Sequence, residues 1–206
     1  MDKIRVIVLA SGRGSDFESI ALAANKGKIA AQVVCMITDN PQAGAIAKAA
    51  SLNVPSKIVD YAKFPNRAEY EKELLKAVSS FAPDLIVLAG YMKIMRSKEL
   101  LEKYAGKIIN IHPSLLPKYA GAHGQEDAFK AGEKVSGYTI HFVDASLDGG
   151  PIILQEKVDI SNCKTADEVA AKILAREHNG LPKVVGMFAQ GKFEIKGKTV
   201  KYTQND

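Results

Sequence analysis

The 206-residue chain is 47% hydrophobic, enough for a packed core, and its 28 Lys and Arg against 23 Asp and Glu leave a net charge of +5 spread along the sequence. A dispersed excess of this kind favours small anionic ligands over nucleic acid as partners. The longest apolar stretches, such as Leu85 to Gly90, fall far short of the ~18 residues a membrane-spanning helix needs, and Asp2, Lys3 and Arg5 do not build a leader peptide, so a cytoplasmic protein with no membrane partner is expected.

In chain order, Ile4 to Ala10 and Ala31 to Thr38 are β-branched runs that read as strands, with a helical pattern from Asp16 to Asn25 between them. A second helical pattern, Arg67 to Ser80, precedes another strand at Leu85 to Ala89. Alternation of this kind predicts an α/β fold: a Rossmann-like, open, mainly parallel twisted sheet with helices on both faces, which also explains why the strands are apolar on both sides. Further strands are predicted at Lys107 to Ile111, Tyr138 to Val143 and Ile152 to Val158. The last long helix starts at Thr165, with Glu168 completing a capping box, and its stripe of Val169, Ala170, Ile173, Leu174, Leu181, Val184, Val185 and Phe188 is core. Phe193 to Tyr202, with Gly197 at its middle, reads as a small terminal hairpin. With no repeat or linker, residues 1–206 are expected to form a single domain. Cys35 and Cys163 are far apart, and the four histidines show no CxxC or HExxH spacing, so neither a disulfide framework nor a bound metal is expected.

Ligands of such sheets bind beyond the carboxyl ends of the strands. The first such loop is Ser11-Gly12-Arg13-Gly14-Ser15, where Ser15 with Glu18 reads as a capping box. Glycines at 12 and 14 let backbone amides approach a phosphate at a helix start, and a Cβ at Gly14 is expected to block that approach. An ordinary tight turn has the same short GxG. It is not a dinucleotide fingerprint, because Phe17 stands where the third glycine would be. Further on, Asn110 and His112 are two apart at a strand end and therefore share a face, followed by a loop stiffened by Pro113 and Pro117. Asp148, before Gly149 and Gly150, sits on a loop able to approach another closely, although an Asp-Gly turn is common for purely structural reasons.

The segments NIHPSLLPKYAGAH (Asn110 to His123), GYTIHFVDASLDGGPIIL (Gly137 to Leu154), LAGYMKIM (Leu88 to Met95) and the opening SGRGS loop resemble the phosphoribosylglycinamide formyltransferase family, folate-dependent enzymes of purine synthesis. The likeness runs from Ile4 to about Phe188 and implies the formyltransferase fold. It further implies 10-formyltetrahydrofolate as cosubstrate, glycinamide ribonucleotide as acceptor and no metal; a homodimer stays open. Asn110, His112 and Asp148 match the family's catalytic trio. Gly14, Ser15 and Asp16 match the segment that holds the nucleotide phosphate. Arg67, Met92, Lys93, Ile94 and Met95, with Asn110, match positions lining the folate site. Asp16 stands where Asn is commoner, Lys93 where Arg is frequent, and Leu181 where Tyr often occurs.

Formyl transfer to an amine passes through a tetrahedral oxyanion. Asn110 can donate to it, a protonated His112 can supply a proton to the departing nitrogen, and Asp148 can favour the imidazolium and relay the amine's proton through water. Glu177 interrupts the apolar face of the last helix close to Pro182; it either forms an internal salt bridge or, as the family's Glu-His pair implies, contacts the nucleotide substrate. His141 shares a strand face with Thr139 and His123 follows Gly121, so either can line the cleft; with no acid next to them in sequence, a supporting or structural role is expected of both in place of proton transfer. The competing readings are another user of 10-formyltetrahydrofolate, acting on aminoacylated tRNA or releasing formate, and a non-catalytic nucleic-acid module, which Lys192, Lys196, Lys198 and Lys201 would serve. The first two are expected to carry a further domain that 206 residues do not accommodate.

Overall fold

The computed structural model describes residues 3–205; Asp2, which enters the leader-peptide argument, lies outside the described residues. The main sheet contains β1 (Ile4–Leu9), β2 (Ala31–Thr38), β3 (Ser56–Ile58), β4 (Leu85–Leu88), β5 (Ile108–His112), β6 (Val135–Phe142) and β7 (Ile152–Asp159). The spatial order is β3-β2-β1-β4-β5-β6-β7, parallel from β3 to β5 and antiparallel at β6 and β7. A second sheet is the hairpin of β8 (Gly191–Lys196) and β9 (Thr199–Gln204).

Both faces of the sheet are covered, and single strands show why their apolar runs are unbroken. On β1, Val6 and Val8 enter a core shared with α1 (Ser15–Asn25) and α6 (Ala166–Gln190). Ile7 and Leu9 enter a second core shared with α3 (Arg67–Ser79) and α4 (Lys98–Lys103). The α6 stripe is buried at Val169, Ile173, Leu181, Val184 and Val185, and the helix runs on through Pro182. Thr165 caps it, accepting the Glu168 N–H at 3.1 Å, while the Glu168 carboxylate reaches back to the Lys164 N–H at 2.6 Å.

The predicted strands and long helices match the structure to within a few residues. Short elements are additions: α2 (Ala45–Ser51), β3, a 3₁₀ turn at Tyr61–Lys63, α4 and α5 (Gly124–Lys130). Beginning at Ile108 and not Lys107, β5 carries His112 as its last residue.

Candidate active site

Strand order reverses at β1, which has β2 on one side and β4 on the other, so the chains leaving β1 and β4 part and open a crevice. A cleft of about 210 Å³ lies there, walled by Gly12 to Asp16, Ala89, Gly90, Pro113, Leu174 and Glu177. The Ser15–Glu18 capping box does not form. Gly14, at φ +70°, occupies the N-cap position with no side-chain cap, and the Glu18 carboxylate pairs with Lys48 of α2 instead. The first amides of α1 consequently lack a side-chain acceptor and are free for an anion. The reason for glycine at 14 also differs from expectation. A Cβ there would lie 2.6 Å from the Ala45 Cβ of α2, directed away from the ligand space, whereas a Cβ on Gly12 would meet nothing within 4 Å.

Glu177 is buried in α6 and has no salt-bridge partner among the described residues, so the internal ion pair does not form there. It faces Asp16. Burial pushes both carboxyls above their usual range, and the Asp16 charge raises Glu177 further. Asp16 turns toward α6: its Oδ1 lies 3.8 Å from His178 Nε2, and both atoms are buried without a hydrogen-bond partner among the described residues.

On the opposite face of the sheet, Asn110, His112 and Asp148 come together. Ile111 and Pro113 line the crevice, so the alternate residues Asn110 and His112 point to the far side, where Thr139 and His141 of β6 pair with them. His112 Nε2 lies 2.8 Å from the Tyr119 carbonyl oxygen, an acceptor only, and therefore carries the proton; Nδ1 faces Asp148 Oδ2 at 3.6 Å. Protonation of Nδ1 turns that contact into an ion pair. The Gly121 N–H donates to the same Asp148 oxygen at 2.9 Å, so the loop after β5 holds both partners. Asp148 itself adopts φ +49°, and Gly150 packs so closely under the β6 end that a Cβ would collide with the Phe142 carbonyl.

His141 belongs to this cluster. Its Nδ1 donates to the Phe142 carbonyl at 2.8 Å, so in the neutral ring Nε2 accepts, and the group 3.1 Å away must be the Asn110 NH₂. Burial holds His141 below the usual imidazole range, in keeping with that neutral form. Asp148 Oδ1 is 3.8 Å from Nε2. A register shift between Ile140 and His141 marks the β6–β7 pairing at this point. The acid is seven residues away in sequence and the amide thirty-one, so the β5–β6 register is what sets the contact with Asn110. His123 lies outside it, exposed, with Glu126 at 3.6 Å.

The segment after β4 packs closely against α3, with Tyr61, Arg67, Tyr91, Lys93, Ile94 and Met95 around a crease too tight to admit a water. Arg67 Nη1 donates to the Ile94 carbonyl at 3.4 Å, and Lys93 stands 4.2 Å over the Tyr61 ring and 3.7 Å from Asp39. Met92 and Ile94 are exposed, whereas Met95 is buried in the α3 core.

The formyl transferase model matches residues 4–185. The chain belongs to the formyl transferase family. It is 38% identical over 192 residues to a phosphoribosylglycinamide formyltransferase of Haemophilus influenzae, covering 93% of this chain and 90% of that protein. It is 38% identical over 178 residues to the Bacillus subtilis enzyme of the same name, covering 86% and 91%. The crystal structure of glycinamide ribonucleotide transformylase 1 from Symbiobacterium toebii superposes with a TM-score of 0.93 at 36% identity, over 97% of this chain and 94% of that one. Among the described residues, no helix is long and apolar enough to cross a membrane.

Proposed function

We propose that this chain, acting as one formyltransferase domain, moves the formyl group of 10-formyltetrahydrofolate to the amine of glycinamide ribonucleotide, giving formylglycinamide ribonucleotide and tetrahydrofolate in purine synthesis. The observation that carries the reading is the Asn110–His112–Asp148–His141 cluster at the sheet rim, with an anion-ready helix start on one face and the Arg67 and 92–95 segment on the other. Glycinamide ribonucleotide fits the crevice with its phosphate on the amides of Gly14, Ser15 and Asp16 and with Glu177 as a further contact. The folate occupies the side of Arg67, Met92, Lys93, Ile94 and Met95.

In the reaction the amine nitrogen bonds to the formyl carbon, and the carbon–N10 bond then breaks. One proton leaves the amine and one arrives at N10. His141 orients the Asn110 NH₂, which has a second N–H for the oxyanion. Protonated His112 is the acid for N10, and Asp148 accepts the amine's proton through water. No covalent enzyme intermediate is required. The deciding experiment incubates the protein and 10-formyltetrahydrofolate with glycinamide ribonucleotide, aminoacylated tRNA and water as competing acceptors. Formylation of the ribonucleotide alone is expected; formate release or formyl-tRNA as the main product would replace this reading with one of its rivals.

A further inference from the structure

Ser11 stands where the two substrate loops meet. Along β1, Ile7 and Leu9 point to the α3 side, and Ser11 continues that series beyond the strand end. Its side chain therefore lies on the face of the Asn110–His112 cluster, while the main chain turns from it into Gly12 to Asp16 on the nucleotide face. The residue is buried, and its amide, its carbonyl and its hydroxyl oxygen are all engaged. The amide donates to the Gly90 carbonyl at 3.0 Å. The hydroxyl accepts the Met92 N–H at 2.9 Å, and the carbonyl accepts from Asn40 Nδ2 at 3.1 Å.

Each of these partners is itself held. Gly90 walls the nucleotide crevice, and Met92 opens the folate-side segment. Asn40 receives the Gln42 N–H on its Oδ1 at 2.9 Å and sends its own N–H to Thr38 Oγ1 at 3.2 Å. Its neighbour Asp39 pairs with Lys93 of the folate-side segment at 3.7 Å. The cradle is fixed from behind as well, where the Ala45 N–H donates to the Gly12 carbonyl at 3.1 Å. Three loops that follow three neighbouring strands are thus laced at one serine.

We propose that Ser11 is a positioning residue that couples the two substrate sites, so that filling the cradle fixes the Met92 amide and filling the folate side fixes the cradle. The inference rests on the functional reading above. Such coupling is reciprocal: each ligand tightens the other by the same factor, commonly ~5-fold or more where sites communicate. The Met92 N–H is the donor that loses its partner when the hydroxyl is removed. A bond of this kind supports a change of roughly 2- to 10-fold.

The test is calorimetric titration of glycinamide ribonucleotide into the protein, alone and with saturating tetrahydrofolate, a pair that cannot react because no formyl group is present. The unaltered protein should bind the ribonucleotide about fivefold more tightly, or better, in the presence of the folate. In Ser11→Ala that ratio should fall below about twofold even if both separate affinities change. A merely structural serine would lower thermal stability and leave the ratio intact. Ser11→Cys, similar in size but a weak acceptor, repeats the test should the alanine variant not fold. Persistence of the ratio in either folded variant, or its absence from the unaltered protein, overturns the coupling while the formyl-transfer reading stands. Failure of both ligands to bind the unaltered protein overturns the functional reading and the coupling with it.

Discussion

Replacing Gly14 by alanine places two separate penalties on one residue. The backbone there is left-handed at φ +70°, which costs a residue with a Cβ about 1–2 kcal/mol. The new Cβ would lie 2.6 Å from the Ala45 Cβ and 2.8 Å from its Cα, an overpacking contact of the kind that costs about 1–3 kcal/mol. The two together come to roughly 3 kcal/mol, and at about 2–4 °C per kcal/mol for a chain of this size the melting temperature should fall by about 6–12 °C. Thermal melts followed by circular dichroism measure this directly. Because α2 rather than the ligand is displaced, the companion change Ala45→Gly should recover only the overpacking share, leaving the backbone share in place. Gly12→Ala, whose Cβ enters open space, should keep nearly the parent melting temperature while raising KM for glycinamide ribonucleotide more than KM for the folate. A Gly14→Ala protein that melts within 2 °C of the parent, a margin of about 1 kcal/mol, would refute the packing argument.

His112→Ala and Asp148→Asn should each lower kcat by orders of magnitude with the fold kept, and near-normal turnover in either would remove that residue from the mechanism. Asn110→Ala should cost about 100- to 1,000-fold in kcat, the usual loss for one oxyanion donor, and His141→Ala a smaller loss because the amide stays but is no longer oriented; the reverse ranking would reassign the donor. For Glu177→Gln the sign runs opposite to that of a salt-bridged acid. The folded carboxyl holds its proton more tightly than the unfolded one, so its stabilising share is complete below the unfolded value near 4.5 and is lost as pH rises through the raised folded value. The glutamine variant should therefore gain melting temperature over the parent at pH 9 and little at pH 4.5, and equal shifts at both would show that the pair does not titrate as described.

The long elements were legible in the sequence because their pattern is local. Val6 to Leu9 is apolar at every position since both sheet faces are covered, and the α6 stripe repeats at helical spacing over several turns. The short elements α2, α4 and α5 carry too few residues for a period to show, and tertiary contacts hold them. At the site, the shared face of Asn110 and His112 followed from strand alternation alone. The place of His141 depended on which residue of β6 lies opposite Asn110, a non-local fact. The failure at Ser15 has the same origin: the Ser-x-x-Glu spacing is right, but Lys48 of α2 takes the Glu18 carboxylate and Gly14 occupies the cap position. For Glu177 the sequence shows an acid on an apolar face, and only the packing of α1 on α6 discloses that the group opposite is another acid.

The two outermost strands of the main sheet bear on how the chain avoids its own kind. An open sheet ends in rows of unpaired amides and carbonyls, each a template onto which another chain could add a strand. On one side the row is three residues long, because β3 is only Ser56–Ile58, and Lys57 sits at its centre. On the other side β7 is longer, but Glu156, Lys157 and Asp159 put charges along it, and Arg176 of α6 bonds Glu156 at 2.7 Å. An incoming strand would have to bury or match those charges before gaining its first backbone bonds, which favours a sheet that ends within one chain over its extension into a fibre.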